Sequence, residues 1–135
     1  MYEPLTNYIP EFEKRSFGEC VPCKKQPDGS FQMGYVHYHD SVSEFIKAVY
    51  NFNESLGETG VTDYQAVLQE HHLDWSNESL NGADVSQVDG RTVLAMVIGV
   101  IRAERFCDGV LLEYLENGTI LKWLNRLREL DSLPL

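Results

Sequence analysis

Apolar positions recur along this chain at spacings that change from segment to segment, and each change marks an element. Leu5, Tyr8, Ile9 and Phe12 fall at helical spacing between Pro4 and Arg15, which predicts a short amphipathic helix limited or bent at Pro10. The pattern then tightens. Phe17–Cys23 and Phe31–Tyr38 are β-rich runs on either side of Pro27-Asp28-Gly29, the signature of a β-hairpin. Within the second run Phe31, Met33, Tyr35 and His37 share one face, while Val36 and Tyr38 point to the other.

Helical spacing returns with Val42, Phe45, Ile46, Val49 and Tyr50, the clearest amphipathic stripe in the chain. Ser41-Val42-Ser43-Glu44 reads as its capping box, with Glu44 placed to reach back to the Ser41 amide. Asn53 to Gly60 reads as a polar loop. A second capping box, Thr62-Asp63-Tyr64-Gln65, opens a helix whose face is Tyr64, Val67, Leu68 and His71. Leu73 to Asp89, rich in Asn, Asp and Ser, reads as a surface loop with room for one helical turn.

Nine consecutive apolar residues follow, Val93 to Ile101. Periodicity does not separate a buried strand from a buried helix in such a run. Asp89 as a cap in front of it, and the charged extension Arg102 to Arg105 behind it, favour a helix, with Gly99 permitting close approach of a neighbour. Asp108 is placed to cap the next helix, which runs through Glu116 and stops at Asn117-Gly118. Thr119 starts the last helix, with Ile120, Trp123, Leu124, Leu127 and Leu130 turned inward. Lys122, Arg126 and Arg128 occupy its outer face and C-terminal half, where cations suit the helix dipole. The sum is an α+β, mostly α fold: an N-terminal β-hairpin packed on a bundle of about five helices, with a central buried helix near 90–105, in a single domain spanning 1–135.

Composition sharpens the picture. The 135 residues suffice for one ordinary core that buries about two-thirds of the unfolded surface. Eleven Lys and Arg against 21 Asp and Glu leave a net charge of −10, which repels phosphate backbones and anionic lipid, so neither nucleic acid nor a membrane surface is expected as a partner. The nine-residue apolar run is far below the roughly 20 residues needed to span a bilayer. An acidic, proline-interrupted N-terminus and an odd count of three cysteines fit a reducing cytoplasm. Three glycosylation-type triplets, at Asn53, Asn77 and Asn117, are then chance matches.

Candidate chemistry is sparse. Cys20-x-x-Cys23 with His37-x-His39 offers two thiolates and two imidazoles, a set suited to tetrahedral zinc. A spacing of three on a straight strand separates the thiols onto opposite faces, so chelation needs a knuckle at Val21-Pro22. Two hairpin cysteines and two half-exposed strand histidines are the preferred reading. Redox use of the same pair is disfavoured, because a turn follows it and not a helix N-terminus. His71 and His72, with Asp74, read as structural, since adjacent helical residues point about 100° apart.

Arg102, Glu104, Arg105 and Asp108 form the densest polar cluster attached to the apolar run. Charges that continue core stripes must be paired or reach solvent. The cluster is therefore either an internal ion-pair network or a site where Arg102 and Arg105 hold a carboxylate, a phosphate or a partner. Cys107 is a nucleophile only if a base stands beside it, and no Ser/His/Asp or Cys/His spacing supplies a triad. Phosphate-cradling glycine loops and His-Glu-x-x-His are absent from the sequence.

Two stretches carry a resemblance. They are Met33-Gly34-Tyr35-Val36-His37-Tyr38-His39-Asp40-Ser41-Val42-Ser43-Glu44-Phe45-Ile46-Lys47-Ala48-Val49-Tyr50 and Arg102-Ala103-Glu104-Arg105-Phe106-Cys107-Asp108-Gly109, the latter followed by Asn117-Gly118 and the Leu-rich final helix. The pair resembles a family of small bacterial proteins classed as domain of unknown function 6508, over about Phe17 to Leu130. The resemblance implies a bacterial cytoplasmic protein of one domain and brings no activity or cofactor. Cys20, Cys23, His37 and His39 do not belong to the pattern that carries it.

The expectation is thus a small acidic cytoplasmic protein with no assigned catalytic residue, acting as a non-catalytic binding or protein-interaction domain. Arg102, Glu104, Arg105 and Asp108 are its ligand or partner candidates, and a protein partner or a homodimer fits a short chain with 15 aromatics. The alternatives are a small zinc protein using Cys20, Cys23, His37 and His39, and a small enzyme using Cys107.

Overall fold

The computed structural model describes residues 1–14, 17–21, 24–32, 34–70, 80, 82, 85, 88–106 and 109–132. The chain is α+β and mostly α. Pro10 sits in the first turn of a helix that it cannot continue from behind, so the N-terminal stripe is split into α1 (Glu3–Thr6) and α2 (Ile9–Glu13). Leu5, Ile9 and Phe12 are all buried despite the break.

The hairpin forms as the alternation predicts. β1 (Gly18–Val21) pairs antiparallel with β4 (Tyr35–Tyr38), and β2 (Lys24–Lys25) with β3 (Phe31–Gln32). The two short ladders keep one register across the interruption between them, so they are one hairpin in two pieces. At its tip the Gly29 amide donates to the Gln26 carbonyl at 3.0 Å, and the Gln26 amide donates to the Ser30 carbonyl at 2.7 Å. Gly29 sits at φ 91°, the left-handed position that a three-residue hairpin loop requires.

Asp28 tightens the turn, its Oδ1 accepting from the Ser30 hydroxyl at 2.6 Å and the Ser30 amide at 3.0 Å. Those two bonds, the hydroxyl first, hold its carboxyl below the ordinary value. A depressed carboxyl pKa contributes stability that is present above the unfolded value and is lost as pH falls through the folded one. The Ser30 amide resonance should therefore move with an acid midpoint below that of an unstructured aspartate, and an unshifted midpoint would show that the turn bonds do not persist in solution.

β4 runs straight into α3 (Asp40–Ser55). His39 is extended at φ −67°, ψ 157°, donates its amide to the Phe17 carbonyl, and serves as the N-cap through its own backbone carbonyl. Ser41 and Glu44 thus lie inside the helix and not at its edge, because the ladder carries the chain one step into the cap position. Val42, Phe45, Val49 and Phe52 are buried, and Ile46 and Tyr50 are half-buried beside them. The helix also takes in Asn53 to Ser55, which polarity alone assigns to a loop. Asn53 explains the extension: its Oδ1 accepts from the Val61 amide at 2.7 Å and its Nδ2 donates to the Val61 carbonyl at 2.8 Å, as a strand neighbour would.

Helix α4 (Tyr64–Glu70) is capped by Asp63, whose Oδ1 accepts from the Ala66 amide at 3.2 Å, one residue later than the Thr62 box. The apolar run forms α5 (Gly90–Ala103), with Asp89 Oδ1 accepting from the Thr92 amide at 2.8 Å as expected. Every residue from Thr92 to Ile101 is buried, Gly99 included. It is the central rod, packed by α3, α4, α6 (Val110–Glu116) and α7 (Thr119–Ser132). Gly118, at φ 84°, ends α6 in the left-handed position, and Ile120, Trp123, Leu124 and Leu127 of α7 close the core. Five helices of seven residues or more, α3 to α7, thus occur among the described residues. The residues of 71–79, within which His71, His72 and the start of the expected surface loop fall, lie outside the described residues.

Phe12 joins the N-terminal turns to α3 and the hairpin, with Phe45 at 5.0 Å and Phe17 at 5.7 Å, both edge-on. Three buried polar atoms meet no partner among the described residues, Tyr50 Oη, Thr92 Oγ1 and Trp123 Nε1. Thr92 is fully buried and its Oγ1 meets no partner among the described residues. A buried hydroxyl without a hydrogen bond costs about 1–3 kcal/mol, so the isosteric Thr92→Val should raise the free energy of unfolding by about 1 kcal/mol. Urea denaturation reads this out, and a loss of stability would mean that the hydroxyl is satisfied after all.

Candidate functional site

The polar cluster at the end of α5 is built by helix termination. After Ala103 the chain tightens: the Arg105 amide donates to the Arg102 carbonyl at 3.1 Å and the Phe106 amide to the Ala103 carbonyl at 3.0 Å. Glu104 and Arg105 consequently leave the core stripes that helical spacing assigns to them.

Glu104 turns its carboxylate toward the start of α6. Both oxygens accept from the Gly109 amide, at 2.8 and 2.9 Å, and Oε1 also accepts from the Leu111 amide at 3.2 Å. The first amides of a helix have no partner within it, and an anion there is doubly favoured by hydrogen bonding and by the helix dipole. Tyr38, from β4, completes the arrangement. Its hydroxyl donates to Glu104 Oε1 at 2.6 Å and accepts from the Leu112 amide at 3.1 Å. Gly109 at φ 97° provides the left-handed bend that aims these amides at the carboxylate. α6 is thus capped from outside by a residue five positions earlier and by the hairpin.

The cations of the cluster face outward. Arg102 is exposed, its guanidinium 5.8 Å from the centre of the Tyr64 ring. Arg105 is exposed and meets no acidic partner among the described residues. Among the described residues these side chains form no ion pair with one another: Glu104 spends its oxygens on backbone amides and Tyr38. Beside the two arginines Phe106 is 92% exposed, the most exposed large apolar side chain among the described residues. Arg105→Ala should leave stability within about 0.5 kcal/mol of the parent, the usual result for an exposed surface cation, and thermal unfolding checks it. Next to this corner, Gly109, Leu112, Glu113, Glu116 and Asn117 line a shallow hollow on the outer side of α6.

Of the residues singled out in the sequence, Glu104 is turned onto the start of α6, while Arg102 and Arg105 are exposed on the same turn of chain. Asp108, expected as the α6 cap, and Cys107 lie outside the described residues. Tyr38 and Phe106 are the members that sequence reading missed. Tyr38 had a signal, its place with Val36 on the inward face of β4; Phe106 had none beyond its position between charges.

The zinc set is not gathered by any described contact. His37 is exposed and opposite Glu19, Cys20 is opposite Val36 in the backbone register, and His39 is the α3 cap. Cys23 lies outside the described residues, among which no group of three or more His, Cys, Asp or Glu could hold a metal ion. No helix of the described residues is long and apolar enough to cross a membrane.

Comparison with known proteins adds one finding. A family model described as "Family of unknown function (DUF6508)" matches residues 2–132. No curated protein and no solved structure matches the chain.

Proposed function

The chain belongs to the DUF6508 family of unknown function, and from that premise we propose that it is a non-catalytic cytoplasmic protein-interaction domain whose contact point is the corner formed by Arg102, Arg105 and Phe106. The observation that carries the reading is Phe106, 92% exposed and directly after the exposed Arg105, on a turn whose Glu104 accepts from Tyr38 and Gly109. Single exposed apolar residues are ordinary on protein surfaces. An almost fully solvated phenylalanine next to an exposed arginine has the composition of a binding hot spot, where aromatic residues and Arg are enriched. The partner that fits offers an apolar recess with carboxylates at its edge, because the two guanidinium groups supply donors for bidentate pairing.

Selection from a displayed peptide library tests the reading. The full chain should enrich peptides that combine acidic and apolar side chains, and the double variant Arg105→Glu, Phe106→Ser should lose that enrichment while keeping its circular dichroism spectrum. Equal enrichment by both proteins would overturn it.

A further inference from the structure

Resting on that reading, we infer that the partner of the Arg105–Phe106 corner is a second copy of this chain, bound by a reciprocal exchange in which the corner of each copy seats in the α6 hollow of the other. Three observations meet here. The hollow starts at Gly109, three residues beyond Phe106, so their Cα atoms are at most about 11 Å apart and knob and recess share one surface. Their chemistry is complementary: Phe106 and Arg105 on one side, a hollow lined by Leu112 and the exposed Glu113 and Glu116 on the other. The corner does not use its own hollow, because Phe106 is 92% exposed.

A knob and a recess set side by side allow an isologous arrangement about a two-fold axis, in which each is used once and assembly closes at two. The charge balance favours this face. Two copies of net charge −10 repel each other over most of their surface, and contact is admissible where an exposed cation of one meets exposed carboxylates of the other. A pair of small contacts of this kind gives a weak dimer.

Analytical ultracentrifugation of the full chain under reducing conditions, from about 10 μM to about 1 mM, tests the inference over the range where weak dimers dissociate. The mass should rise with concentration from 15.4 kDa toward twice that value. Phe106→Asp, Arg105→Glu and Glu113→Lys should each weaken association about tenfold or more, as loss of a hot-spot contact does. Combining Arg105→Glu with Glu113→Lys should recover most of the loss, since the exchange then pairs the new charges. Monomer mass throughout the range, or association indifferent to Phe106→Asp, overturns the dimer. If the dimer fails and peptide selection still depends on Arg105 and Phe106, the proposed function stands with a different partner; if both fail, the corner is not a binding surface.

Discussion

Glu104→Ala should lower the stability of this protein by about 3 kcal/mol, the largest loss expected from any change in the polar cluster. The carboxylate accepts from Gly109 and Leu111 amides and from the Tyr38 hydroxyl, and its removal leaves these donors without a partner at the start of a helix whose own N-cap, Gly109, has no side chain to offer. Loss of a cap costs about 0.5–2 kcal/mol, and a hydrogen bond to a charged acceptor contributes about 1.5–3 kcal/mol net of solvent exchange. Glu104→Gln retains an acceptor but loses the charge and faces donors with its amide, so it should lose about half as much. Tyr38→Phe should fall close to Glu104→Gln, because the hydroxyl both donates and accepts. Guanidinium denaturation gives the free energies. Hydrogen exchange at Gly109, Leu111 and Leu112 gives the location, and unchanged protection there in Glu104→Ala would refute the capping role.

Gly18→Ala should cost about 2–3 kcal/mol and disturb the hairpin first. A Cβ on Gly18 would stand 2.6 Å from the His37 carbonyl oxygen and 3.0 Å from the Tyr38 Cα. Both atoms belong to the backbone of the paired strand, so neither can swing aside as a flexible side chain would. Overpacking a tight site costs about 1–3 kcal/mol, and here the displaced strand carries Tyr38, which adds part of the Glu104 loss. Gly90→Ala is a useful contrast. Its Cβ would meet the end of the Tyr2 ring, a terminal side chain able to move, and the effect should be smaller. A Gly18→Ala protein as stable as the parent would show that β1 and β4 are not held at this spacing.

How far the sequence discloses such features depends on the range of the interaction. The α5 rod was legible because a nine-residue apolar run with Asp89 before it and charges after it leaves few alternatives. The hairpin turn at Pro27-Asp28-Gly29 was legible because turn chemistry is local. Caps were read one or two positions off, at Ser41 and Thr62 where His39 and Asp63 serve, since incoming backbone from a strand or loop decides the first helical residue. Glu104 was recognised as a charge in need of a partner, but its partners are amides and a hydroxyl, which carry no mark in a charge pattern. Phe106 was invisible as a site because exposure is a property of the finished fold.

The Tyr38 hydroxyl ties together positions 66 and 74 residues apart in the chain. Closing a loop of that length costs about 4 kcal/mol of chain entropy, far more than any one of its hydrogen bonds returns. The latch can therefore form only after α5 and its neighbours have already brought the strand and α6 together, which makes it a late event in folding and an early one in unfolding. A chain that loses it opens at the hairpin while the helical body is still intact.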